Sequence, residues 1–111
     1  MAVGTVTYSP GISNASVSGT LTCDASPSAT YIDCGFVPSR FLIVNATDKD
    51  TSLLWTSGMA DASGITDAGV AVTSGGITPI AQTDGTHHGV LVGTDASCQE
   101  ASKVFNWTAF R

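Results

Sequence analysis

Charge is scarce in this chain: Asp, Glu, Lys and Arg make up 12% of its 111 residues, about half the share in an average soluble domain. Disorder of the charge-driven kind needs low hydrophobicity and high net charge, and a sequence that is 42% hydrophobic does not fit it. Basic residues are the scarcer sign, four against nine acidic ones, and no Lys or Arg cluster occurs. Affinity for a phosphate backbone comes mostly from basic side chains displacing counterions, so direct nucleic-acid binding is disfavoured. A basic protein surface is the easier partner for a net charge of −5. A surface poor in Lys and Glu also suits burial against another subunit, which points to homo-oligomers.

Long apolar runs are missing as well. No stretch approaches the roughly eighteen residues of a membrane span, and Met1-Ala2-Val3-Gly4 lacks the basic and apolar regions of a secretory signal. A soluble protein made in a cytoplasm is expected. The three cysteines, Cys23, Cys34 and Cys98, cannot all pair within one chain, and neither C-x-x-C nor any other zinc spacing is present. Reduced thiols follow from that compartment, with a Cys23–Cys34 bridge across a hairpin as the alternative. Asn14, Asn45 and Asn106 each begin an N-x-S/T triplet. Without a signal sequence these triplets mean little, since they arise easily by chance in a chain about a quarter Ser and Thr, and Asn106 falls in a strand pattern where a glycan would be awkward.

Helical periodicity is absent too: no segment of about eleven residues places apolar side chains at i, i+3, i+4 and i+7 without Gly or clustered β-branched residues. Alternation takes its place. Val17, Gly19 and Leu21 share one face while Ser16, Ser18, Thr20 and Thr22 share the other, and Phe105, Trp107 and Ala109 alternate with Asn106 and Thr108. Phe41-Leu42-Ile43-Val44 is apolar on both faces, as in a central strand covered on each side. The polar turn Asn45–Thr51 follows, and Leu53, Leu54 and Trp55 then return antiparallel with Trp55 toward the core. Further strands are predicted near Val3 to Tyr8, Thr30 to Cys34, Gly69 to Thr73, Thr78 to Ala81 and His88 to Val92. Ser9-Pro10-Gly11, Ser26-Pro27, Ser74-Gly75-Gly76 and Asp84-Gly85 punctuate them. Met59 to Gly64 reads as a loop or a single helical turn.

The fold class predicted is all-β: one domain, a β-sandwich or small β-barrel of about eight short, mainly antiparallel strands. The division is a polar N-terminal arm over 1–13, able to reach a neighbour, and a β domain over 14–111. Leu42 and Leu54 face opposite to Phe41 and Trp55, so a second layer or another subunit must cover them.

Candidate chemistry is thin. His87-His88 with Asp84 invites a metal or acid/base reading, but adjacent strand residues point to opposite faces and cannot readily share one ion. A hydrolase triad from Asp84, His87 or His88 and one of thirteen serines lacks any G-x-S-x-G, and Cys98 with a histidine lacks a family signature. Asp24, Asp48, Asp50, Asp61, Asp67, Asp84 and Asp95 sit where Asp shapes turns. Asp48-Lys49-Asp50 opens like a calcium loop, but Leu53 and Met59 stand where such a loop needs glycine and glutamate. Gly75-Gly76 and Gly89 precede no helix that could cradle a phosphate. Trp55, Trp107, Phe41 and Phe105 could line a sugar platform, yet they alternate with polar neighbours as core residues do. No catalytic, cofactor or metal residue is assigned, and no enzymatic activity is expected.

The ordered elements Gly35-Phe36-Val37-Pro38-Ser39-Arg40, Leu42-Ile43-Val44-Asn45-Ala46-Thr47, Trp55, Gly58-Met59, Gly76-Ile77-Thr78 and Asn106-Trp107-Thr108-Ala109 resemble small β-rich virion proteins of tailed bacteriophages. The resemblance covers residues 35 to 109. It implies a capsid decoration, or cement, protein that binds the outer shell, with the major capsid protein as partner, a homodimer or homotrimer as its state, and the virion surface as its location. It implies no catalytic residue. The segment before Gly35 does not match. A receptor- or glycan-binding module of a tail fibre or spike is the alternative.

Overall fold

In the computed structural model, which describes residues 3–8, 16–81 and 86–111, regular structure is entirely strand. The strands are β1 Thr5–Tyr8, β2 Ser16–Thr22, β3 Thr30–Ile32, β4 Arg40–Asn45, β5 Ser52–Thr56, β6 Ser63–Thr66, β7 Ala71–Ile80, β8 Gly89–Val92 and β9 Val104–Phe110. They form one sheet in the order β1-β2-β9-β4-β5-β6-β7-β8-β3, with every neighbouring pair antiparallel. The sheet curls until its two ends meet, where the Gly4 N–H donates to Thr30 Oγ1 at 3.2 Å. The product is a nearly closed barrel.

Alternation decides what lies inside. On β9, Phe105, Trp107 and Ala109 are buried while Asn106 is exposed, and the partner strands answer with Leu21, Phe41 and Ile43 on the same face. Phe41 pairs across the hairpin with Trp55, and its ring stacks on Trp107 with centroids 6.1 Å apart. Trp55, Trp107, Phe41 and Phe105 are all core, as their alternation with polar neighbours predicts. At Gly19 the core comes so near the wall that a Cβ would strike the Thr7 carbonyl and the Trp107 ring.

The last strand is tied in, lying between β2 and β4 rather than fraying. Of the predicted arm over 1–13, Val3 and Gly4 lead into β1, Thr5–Tyr8, which is paired along its length with β2, and residues 1–2 and 9–13 lie outside the described residues.

Three features differ from the sequence reading. The two strands predicted around Ser74-Gly75-Gly76 are one, β7, whose register against β6 jumps from Gly64↔Val72 to Ser63↔Ile77. Gly75, at φ 75°, lets the strand bulge and bend there instead of ending, so its first half pairs with β6 and its second with β8. Second, Met59 to Gly64, expected as a loop or a single helical turn, contains the start of β6, because Gly64 fits under Leu53 while Ile65 faces out, a two-sided pattern too short to read. Third, β4 is not covered on both faces. Leu42 and Val44 are half-buried, since a barrel has one interior and their side is the outside.

Candidate functional site

The histidine pair is where the sequence put most of its candidate chemistry, and folding gives it a partner the sequence reading missed. β3 pairs with β8, placing Asp33, just past the end of β3, beside His87, just before β8. His87 Nδ1 lies 3.0 and 3.2 Å from the two Asp33 carboxylate oxygens, and the His88 backbone N–H donates to Asp33 Oδ1 at 3.2 Å. The Tyr31 ring stacks on the imidazole, centroids 3.7 Å apart and planes within 1°. Asp84, the expected partner, lies outside the described residues.

The two histidines thus have different jobs: His87 brings its ring to the cluster, His88 its backbone. Fifty-four residues separate His87 from Asp33, so only the β3–β8 register could have revealed the contact. Its side chains are 28% and 44% exposed, which leaves the pair solvated and worth little to stability. An aspartate orienting a histidine is half of a hydrolase relay, but the imidazole face is taken by Tyr31 and the group sits on the barrel's outside. A relay further requires a nucleophile in reach and oxyanion donors.

Cys98 is removed from nucleophilic chemistry by its surroundings. It is fully buried, and its thiol donates toward the carbonyls of Gly75, Asp95 and Gly93 at 3.3, 3.4 and 3.5 Å. Burial first, then the Asp95 carboxylate and the Cys23 thiol, push its pKa up to about 12. Cys23 and Cys34 are also buried and free, with pKa values raised mainly by burial. The Cys23–Cys34 bridge does not form.

The calcium-like segment folds around Asn45. This fully buried side chain accepts the Asp48 N–H at 2.8 Å and donates to Asp48 Oδ2 at 3.3 Å and to Glu100 Oε2 at 3.1 Å. Its amide is thereby occupied in the core wall, unlike that of a glycan acceptor. Asp48, Asp50 and Glu100 bring carboxylate oxygens within 4.8 Å of one another, a donor set suited to a hard cation. Lys103 Nζ already stands 3.3 Å from Asp48 Oδ1. Glu100 arrives from the far side of the sequence, and the local motif gave no sign of it.

A different property appears when the strands are read for what they turn outward. Across all nine, Arg40 is the only charged residue; the described acids and the two lysines are all in turns and loops. The outer wall is mostly Ser, Thr and Asn over β1, β2 and β9, with Val104 and Phe110 at the ends of β9, and it carries Leu42, Val44, Leu54 and Ile65 among polar neighbours over β4, β5 and β6. One row runs Ser18, Thr108, Leu42, Leu54, Ile65, Ala71, each the Cα partner of the next. Ile65 is 38% exposed, and Leu42 and Leu54 are half-buried. Arg40 lies beside this row with its guanidinium 4.8 Å over the Phe110 ring.

Edge strands usually protect themselves with charge or proline. β1 (Thr-Val-Thr-Tyr) and β3 (Thr-Tyr-Ile) carry neither. The chain matches no protein-family model, and no curated protein and no solved structure is detectably similar to it.

Proposed function

We propose that the protein is a non-enzymatic structural module of a bacteriophage particle, a decoration protein that binds the outer shell and braces it. The observation that carries this reading is the nearly charge-free outer wall, with one charged residue in nine strands. A protein that lives alone keeps charge on its exposed strands for solubility, whereas a subunit of an assembly covers that surface. Contact with the shell runs through the N-terminal region and one sheet edge. Each contact is small, and repetition over a lattice supplies the strength. The partner is the major capsid protein.

The test is reconstitution. Particles of the encoding phage made without this protein are mixed with the purified chain and sedimented, and their resistance to heat is compared with and without it. Co-sedimentation at saturating stoichiometry with a gain in resistance is expected; a chain left in the supernatant refutes the reading.

A receptor- or glycan-binding module of a tail fibre or spike is the second reading, favoured by the Tyr31–His87–Asp33 group, an aromatic surface beside a carboxylate. Binding on a glycan array that Tyr31→Ala abolishes would select it over the first.

A further inference from the structure

The apolar part of the outer wall has a polarity that fits a second copy of the same chain. Leu42, Leu54 and Ile65 form a level row on β4, β5 and β6. One level away, Arg40 pairs with Thr56, and the turn from Thr56 to Ser63 joins β5 to β6 at that same end of the strands. Two residues before Ser63 stands Asp61, exposed in the turn that enters β6. The patch thus has Arg40 on its β4 flank and Asp61 in the turn that leads into its β6 flank, at the same end of the strands. Among the described residues the ion pairs are His87–Asp33 and Lys103–Asp48, so Asp61 is in neither.

A two-fold axis lying in the contact plane along β5 exchanges the two flanks. Leu54 then meets Leu54 of the second copy, Leu42 meets Ile65, and each Arg40 meets the turn bearing Asp61. Both pairings form twice, as an isologous interface requires. A two-fold running across the strands instead would set each flank against itself and carry Arg40 to the end of the strands away from Asp61. We propose that this face, Leu42, Leu54 and Ile65 with Arg40 and Asp61 at its rim, is the interface of a homodimer. The apolar row supplies the burial, and the two ion pairs fix the register. This inference stands apart from the phage reading, since the pairing needs only the chain itself.

Sedimentation velocity of the full chain over a range of concentrations tests it, with circular dichroism and tryptophan fluorescence confirming that each variant folds. A reversible dimer is expected. Leu54→Asn and the more exposed Ile65→Asn each abolish it. Arg40→Asp and Asp61→Arg each weaken it about tenfold or more, as loss of an interfacial charge pair does, whereas the double variant Arg40→Asp/Asp61→Arg recovers affinity to within about threefold of the original. A strictly monomeric chain, a trimer, a dimer that survives Ile65→Asn, or a double variant no better than the single ones overturns the proposal.

Discussion

The buried hydroxyl of Thr30 accepts the Gly4 N–H at 3.2 Å and donates to the Ser28 carbonyl at 3.0 Å, so one side chain bridges the two ends of the sheet. Thr30→Val keeps the shape and removes both bonds, leaving Gly4 N–H and Ser28 C=O without that partner. A loss of about 1–3 kcal/mol is expected in urea unfolding, with faster amide exchange along β1 as its local sign. Unchanged stability and exchange would mean that closure does not depend on this contact.

Gly75 takes φ 75° where β7 bends, and a Cβ there would stand 3.1 Å from the Asp95 backbone nitrogen. Gly75→Ala therefore costs about 1–2 kcal/mol from the left-handed backbone alone, and the crowding adds to it. Thermal unfolding with an unaltered midpoint would show that the bulge tolerates a side chain.

The Cys98 thiol titrates near its ordinary value of 9.0 when the chain is unfolded and is pushed up to about 12 in the fold, chiefly by burial. A raised pKa favours the protonated, folded form. Its stabilising effect is complete below pH 9 and is lost as pH climbs toward 12, at roughly 1.4 kcal/mol per pH unit. Cys98→Ala, measured by chemical denaturation across that window, should flatten the decline while lowering stability at neutral pH through the cavity it leaves. Parallel curves for the two proteins would contradict the assignment. In the native state at pH 8 all three thiols should resist alkylation.

His87 and Asp33 bind each other in solvent. His87→Ala and Asp33→Ala should each cost less than about 1 kcal/mol of global stability. Asp33→Ala should still loosen the junction of β3 and β8 locally, since the carboxylate also holds the His88 N–H and Gly35 N–H bonds the His88 carbonyl at 3.0 Å. Hydrogen exchange at Gly35 and His88 reads that difference; a loss well beyond that figure would make the cluster part of the core.

Strand positions and the inward set were legible because alternation is a local signal: Leu21, Phe41, Trp55, Phe105 and Trp107 all lie inside, as their neighbours in sequence dictate. What the sequence hid is long-range. Gly75-Gly76 reads as a break because a bulge and a turn use the same residues, and pairing with two different strands decides between them. No local signal singles out buried Gln99, although its amide donates to the carbonyls of Ser28, Val92 and Gly93 at 2.9, 3.3 and 3.1 Å and so ties three segments together. Asp33 and Glu100 likewise gain their roles from residues more than fifty positions away. The uncharged outer wall was foreshadowed by composition, but only the register showed Leu42, Leu54 and Ile65 to be one row.

The central claim is that this charge-poor barrel is a repeating structural subunit, and counting it is the most direct test. Under the proposed decoration role, quantitative mass spectrometry of purified particles of the phage proposed to carry this chain gives its copies per copy of the major capsid protein. A ratio fixed by the shell lattice is predicted. Absence from the particle, or the handful of copies that belongs to a tail tip, would contradict the account.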